Sequence, residues 1–263
     1  MEDQEIKPIL GAYSLNYFFG EKQVLKDISF ELFKGEIITI IGPNASGKST
    51  LLKILSGILP LKEIESAGQV FCQNRLLFKM TPDERARSVV YLSSELQAEF
   101  PLTALETVLM GRICHHLHNY VEKQDIARWA MEQCVCWGLR GRFLHTLSGG
   151  ERQLVNLSRA LAQGSRVILL DEALSKMDLH HQTMMGMLLK KLVQKNYSIV
   201  LVSHDLNQCL SLADSCVLLL RGEKIAHGQI ADIFKESNLK KLYPGASFVL
   251  GQNPTNLHPH IFL

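Results

Sequence analysis

Gly42-Pro43-Asn44-Ala45-Ser46-Gly47-Lys48-Ser49 is the stretch that decides the fold. A glycine, four free positions and then Gly-Lys-Ser make the phosphate-loop pattern. The flanks agree with it. Ile37 to Ile41 is a short apolar run suited to a buried strand, and Lys48 to Gly57 carries Leu and Ile at helical spacing before stopping at a glycine. A strand, a glycine-bearing loop and a helix N-terminus form an anion cradle, because loop N–H groups point inward and the helix dipole favours negative charge. The cradle is expected to run from Gly42 to Thr50. Lys48 would reach the β- and γ-phosphates of a nucleotide, and Ser49 would offer its hydroxyl to Mg²⁺. A plain turn between strand and helix has no need of the lysine and serine.

The 263 residues suit one large domain or two small ones. A hydrophobic share of 46% with 21% charged residues is that of an ordinary globular protein, and a net charge of +2 gives no general reason to expect nucleic acid or anionic lipid. No apolar run reaches bilayer length. The acidic, polar start Met-Glu-Asp-Gln-Glu is unlike a secretory signal. The expected location is the cytosol, with docking on a membrane protein open. The six cysteines, Cys72, Cys114, Cys134, Cys136, Cys209 and Cys216, lie in apolar surroundings and read as small core residues. Cys114-His-His-Leu-His118 has metal-ligating types but no matching partner motif, so an exposed polar helix end is the favoured reading.

Alternating apolar positions in Ile28-Ser-Phe-Glu-Leu-Phe33 predict a strand, with a turn at Lys34-Gly35. Gly68 to Cys72 and Val89 to Leu92 predict further strands. Thr81-Pro-Asp-Glu opens a short helix, and Thr103-Ala-Leu-Glu106 has the form of a capping box. Pro101 to Leu147 is mostly helical in pattern. Arg166 to Leu170 and Ser198 to Val202 are apolar strands joined by a helix from Leu179 to Lys195, which implies parallel pairing in a buried sheet. Val217 to Arg221 and Lys224 to Ala226 form a hairpin about Gly222, and two short helices follow. There is no internal repeat and no long linker.

The strand ending at Leu170 leads into Asp171-Glu172. Acids at the carboxyl end of a parallel strand face the ligand crevice. Asp171 can hold Mg²⁺, directly or through a water, and Glu172 can polarise an attacking water. Taken alone, the pair could simply cap the next helix. Leu147-Ser148-Gly149-Gly150-Glu-Arg-Gln153 precedes another helix and leaves an uncrowded start with free N–H groups, a second anion site.

In order and spacing, the phosphate loop, Ser148-Gly149-Gly150, the acidic strand and His204 in Val202-Ser-His-Asp205 resemble the motifs of ATP-binding-cassette (ABC) ATPases, over essentially the whole chain. The resemblance implies an α/β fold: a phosphate-loop NTPase (RecA-like) core with an N-terminal antiparallel β subdomain and an inserted α-helical subdomain. It implies one domain over 1–263, with 1–92 and 164–263 the core and β subdomain and 93–163 the helical subdomain with its signature. By position, Ser148 begins the signature, Ser175 to Asp178 is the loop crossing a dimer interface, His204 is the switch histidine, and Phe19 is the aromatic that stacks on adenine. Lys48, Glu172 and His204 are then the catalytic set, with ATP and Mg²⁺ bound. The signature of one cassette faces the nucleotide of another, so two chains, expected to be identical, sandwich two ATPs.

The chain departs from the pattern at Ser94, where a glutamine is usual. Gln97 is three residues late. Serine lacks the amide's separate donor and acceptor, so Ser94 is expected to meet the metal only through a water. Ala173 stands for the usual proline and Ala45 for a frequent glycine.

Thr81 to Leu92 and Pro101 to Arg112 resemble the importer branch for siderophore iron, haem and cobalamin. With the sequence ending soon after the last hairpin, the regulatory domain of sugar-type importers is not expected. The leading expectation is an ATPase subunit at the cytoplasmic face of the inner membrane, with a permease, indirectly a substrate-binding protein, and no nucleic acid. Two other classes stay open: a soluble cassette of DNA repair or translation, and a nucleotide-binding regulator without hydrolysis.

Overall fold

The computed structural model describes residues 7–61, 67–93, 101–116, 119–175, 177–245, 249–252 and 259–262. Ser94 and Gln97 lie outside them, as does His118 of the Cys/His cluster. Strands β1 (Leu10–Phe19) and β2 (Lys22–Leu32) form a hairpin, and β3 (Ile37–Ile41) leads through the phosphate loop into helix α1 (Lys48–Leu55). Strands β4 (Gln69–Cys72) and β5 (Arg75–Leu76) follow, then helix α2 (Pro82–Ser88) and strand β6 (Val89–Ser93). Helices α3 (Ala104–Met110), α4 (Tyr120–Gln133) and α5 (Gly149–Gln163) come next. The chain then alternates: β7 (Val167–Asp171), α6 (Leu179–Gln194), β8 (Ser198–Val202), α7 (Leu206–Leu212), β9 (Ser215–Leu220) and β10 (Glu223–Gln229). Two short helices, α8 (Ile230–Ile233) and α9 (Glu236–Leu242), and a hairpin of β11 (Val249–Gln252) with β12 (Pro259–Phe262) complete it.

Ten strands form one sheet in the order β5-β4-β1-β2-β10-β9-β3-β8-β7-β6. Its β9-β3-β8-β7-β6 portion is parallel, and the β5-β4-β1-β2 portion is antiparallel. The two meet where Glu223 of β10 pairs with Lys26 of β2 in parallel sense, a junction supported by the Lys26–Glu223 ion pair at 2.9 Å.

β3, β7 and β8 are buried at every position, which is why they read as unbroken apolar runs. Their alternate residues feed different cores. Ile38 and Ile40 pack with Leu51, Leu52 and Leu55 of α1 and with the N-terminal strands, while Ile37 joins the core beneath α3 to α6. A third cluster, with Ile41, Cys216, Leu239 and Leu242, seats the C-terminal helices. All six cysteines are buried and unbridged, as their apolar settings imply.

The helix ends follow sequence cues closely. Thr81 and Thr103 each accept the N–H of the glutamate three residues on, and Glu84 and Glu106 return the bond. α1 ends in a Schellman turn: Gly57, at φ +74°, donates to Ile54 O and Ile58 to Lys53 O, both at 2.9 Å. The Pro101–Leu147 region is less continuous than its pattern suggests. α3 and α4 are separated by a 3₁₀ turn at Ile113–His115, and two more turns precede α5. Cys114 is buried there, His115 bonds Gln163 O at 2.7 Å, and His116 pairs with Asp83 at 2.6 Å. The histidines are thus held by the protein rather than presented together.

Candidate functional site

β3 carries the chain to Gly42, and the loop closes on itself before α1 begins. Gly42 must be glycine for lack of space: a Cβ there would lie 2.0 Å from Leu219 O. Gly47 must be glycine for its conformation, φ +103°, and because β2 presses on it, with Leu25 Cδ2 2.8 Å from the site of a Cβ. Ala45 adopts φ +60°, which explains why glycine suits that position. Asn44 and Ala45 are exposed at the tip, whereas Ser46, Gly47 and Lys48 are buried. Ser49 and Thr50 fall in the first turn of α1.

Lys48 does not extend outward. Its ammonium donates to Gly42 O at 2.8 Å and Pro43 O at 2.9 Å, so the loop's own carbonyls hold it. Burial pushes its pKa below the usual lysine range, while the charges of Glu172 and Asp171 pull it back. A buried ammonium bonded only to neutral carbonyls gains from an anion placed beside it.

Ser49 Oγ donates to Asp171 Oδ1 at 3.0 Å, joining the loop to the carboxyl end of β7. Tyr91 of β6 donates to the other oxygen, Oδ2, at 2.7 Å. Burial, and then the bond and charge of Asp171, push the Tyr91 hydroxyl pKa well above its ordinary value. Tyr91 is the functional candidate that sequence reading missed. It lies in an apolar run, and its single signal was a polar tip on an otherwise hydrocarbon strand.

Glu172 follows with φ +53°, its N–H bonded to Val202 O at 3.1 Å at the end of β8. This bend aims the carboxylate at the turn after β8, where His204 Nε2 lies 2.6 Å from Glu172 Oε1. Ser175 Oγ donates to Glu172 O at 2.8 Å, tying the following loop to the acidic turn.

The signature start is assembled separately. Ser148 caps α5: its Oγ accepts from Glu151 N at 3.2 Å, and Glu151 Oε2 accepts from Ser148 N at 2.8 Å. These bonds, with Arg142 at 3.1 Å, hold the Glu151 carboxyl below the usual range. Gly149 opens the helix, and Gly150 leaves room for a neighbour, since a Cβ there would lie 2.5 Å from the ring of His181. His181 in turn bonds Asp178, the cap of α6, through both its N–H at 2.9 Å and its Nδ1 at 2.8 Å. The structure therefore joins the signature glycines to Asp178 through one imidazole, a link the sequence did not reveal. Phe19 is half exposed at the end of β1 and packs edge-on against Tyr17, with ring centroids 5.2 Å apart.

The site fits a Mg-nucleotide. Lys48 lies within the loop, among the described residues Ser46 Oγ is buried without a partner, and Ser49 and Asp171 supply the hard oxygen donors that Mg²⁺ prefers.

A parallel core with a phosphate loop and an acidic strand end defines a phosphate-loop nucleotide hydrolase. Residues 25–175 match the ABC transporter family, and the chain belongs to that family. It is 31% identical to the hemin import ATP-binding protein HmuV of Hahella chejuensis, over 97% of this chain and 100% of that protein. It is 32% identical to the iron(3+)-hydroxamate import ATP-binding protein FhuC of Bacillus subtilis, over 89% of this chain and 87% of that protein. Among solved structures, a metal-chelate type ABC transporter in an inward-facing conformation superposes at a TM-score of 0.84, with 27% identity over 97% of each chain. The dimeric cassette MJ0796 superposes at 0.72, with 26% identity over 84% of this chain and 98% of that one.

Proposed function

We propose that this ABC ATPase subunit energises uptake of haem or an iron chelate, working as two identical cassettes on the cytoplasmic face of the inner membrane beneath a separate permease that is fed by a substrate-binding protein. The observation that carries the enzymatic part is the pair of contacts at the end of β7. Asp171 bonds Ser49 of the loop at 3.0 Å, and the next residue, Glu172, meets His204 at 2.6 Å. A phosphate seat and a proton-accepting pair thus occupy consecutive positions of one strand end. The import direction and iron-related cargo rest on the relatives HmuV and FhuC.

In this reading the N–H groups of the loop between Asn44 and Thr50 cradle the phosphates, and Lys48 turns from its carbonyls to the terminal ones. Phe19 stacks on the adenine. Glu172 accepts a proton from the attacking water, and His204 holds Glu172 in place. Mg²⁺, bound by Ser49 and Asp171, would neutralise developing phosphate charge. Ser148, Gly149 and Gly150 close over the nucleotide of the opposite cassette, with Asp178 at the seam.

Among the described residues no helix is long and apolar enough to cross a membrane; in this reading the membrane passage belongs to a permease. A groove of about 370 Å³ between α2, α3 and α5, lined by Ile58, Arg85, Met110, Ile113 and Arg159, is the face on which the permease would dock. Co-expression with a candidate permease and reconstitution in liposomes tests the whole reading. ATP-dependent uptake of haem or of a ferric hydroxamate is the expected result, abolished by Glu172→Gln. Phosphate release without co-purification of any polytopic protein would overturn the transport part.

A further inference from the structure

We propose that Tyr91 is a positioning residue for the metal seat, locking the Asp171 carboxylate so that one oxygen faces Ser49. The inference rests on the assignment of Asp171 to Mg²⁺ made above and goes beyond it.

The geometry follows from strand pairing. β6 and β7 run parallel, with Tyr91 opposite Leu169 and Ser93 opposite Asp171. Side chains alternate between sheet faces, so Tyr91 and Asp171 lie on the same face as diagonal neighbours. A long phenol reaches along that diagonal, and its oxygen arrives 2.7 Å from Asp171 Oδ2. The ring is fixed in turn, since it packs against the core that contains Val89 and Leu169.

The carboxylate needs this help. Asp171 is only 7% exposed, so a negative charge there must be met by donors. Its terminal torsion is broad and roughly two-fold, and one hydrogen bond at one oxygen leaves it free to swing. Ser49 holds Oδ1 at 3.0 Å, but its hydroxyl can rotate. Tyr91, on a rigid ring in a neighbouring strand, holds the second oxygen. Two donors on opposite oxygens define the plane of the carboxylate.

The test uses the full chain in a Glu172→Gln background, with a fluorescent ATP analogue titrated first in EDTA and then with MgCl₂. Tyr91→Phe keeps the ring and removes the hydroxyl. Metal-free nucleotide affinity should stay within about twofold of the parent, while the Mg²⁺ concentration giving half the metal-dependent signal should rise about tenfold, the loss expected for one hydrogen bond to a charged group. Asp171→Asn should shift it further, and Tyr91→Phe added to Asp171→Asn should shift it no more, because Tyr91 acts through Asp171. A shift in Asp171→Asn with none in Tyr91→Phe overturns the role of Tyr91 and leaves Asp171 standing. No shift in either removes the Asp171 assignment itself. Equal weakening of metal-free and metal-dependent binding by Tyr91→Phe would make the tyrosine merely structural and also overturn the proposal.

Discussion

Glu172 and His204 are bonded at 2.6 Å and sit at the ends of two adjacent strands, so they should behave as one unit. Glu172→Gln is expected to lower single-turnover phosphate release by about 10³-fold, within the range for a lost general base. His204→Ala should lower it comparably, because Glu172 then loses its partner. The double variant should be little worse than Glu172→Gln alone, as for residues that fail together. Multiplying losses would show that the contact has no catalytic meaning. Lys48 is a different case, since its resting partners are the carbonyls of Gly42 and Pro43. Lys48→Ala should reduce ATP affinity in equilibrium dialysis, and unchanged affinity would sink its assignment. These candidates stand out in the sequence because phosphate chemistry restricts such positions to a few residue types at fixed spacing. The inward turn of Lys48 was not, since a flexible side chain reports only its reach. Tyr91 was hidden for another reason: its partner lies 80 positions away and meets it only when β6 pairs with β7.

At the scale of elements, caps and turns were the most legible features, because their hydrogen bonds are local. Thr81–Glu84, Thr103–Glu106 and Ser148–Glu151 all form reciprocal boxes. In each, the serine or threonine N–H bond holds the glutamate pKa down, that of Glu84 to about 2. A folded pKa below the unfolded one means the caps stabilise fully at neutral pH, and this contribution fades as pH falls from about 4.3, the unperturbed glutamate value, towards the folded ones. Thr103→Ala should therefore lower stability by about 1 kcal/mol at pH 7 in urea denaturation, with a smaller difference at pH 3. The pH-dependent part is the Thr103 Oγ1–Glu106 Oε2 bond at 2.7 Å, which alanine removes while keeping the backbone N–H bond; an equal difference at both pH values would remove that bond's contribution. Less legible was anything set by distant packing. The glycine at 150 reads as an uncrowded helix start, and nothing in the sequence signals that the space it leaves also admits His181 from α6. The break between α3 and α4 was likewise hidden, since the apolar pattern continues through the 3₁₀ turn.

The whole molecule presents its phosphate loop and its signature as two sites with separate bonding networks. The loop is tied to β7 and β6, and the signature to Arg142, Glu151 and His181. In capping α5, Ser148 uses its hydroxyl only as an acceptor, which leaves the O–H free to donate to a phosphate oxygen. Aspartate at that position would keep the cap but offer no donor, and would add a charge repelling phosphate. Ser148→Asp should thus melt near the parent temperature yet fail to dimerise with ATP, whereas the Glu172→Gln parent should run in light scattering as a dimer of 29.6 kDa chains. Mixing distinguishes a shared site from a self-contained one. A Lys48→Ala chain lacks the loop lysine, and a Ser148→Asp chain lacks the signature hydroxyl, so neither alone can complete a composite site. Paired, they rebuild one: the lysine comes from the second chain and the serine from the first. The mixture should regain up to about half of the pairing-dependent phosphate release per heterodimer, since one of two sites is whole. A mixture no more active than its separate components would mean that each cassette completes its own site, and the sandwich arrangement would have to be abandoned.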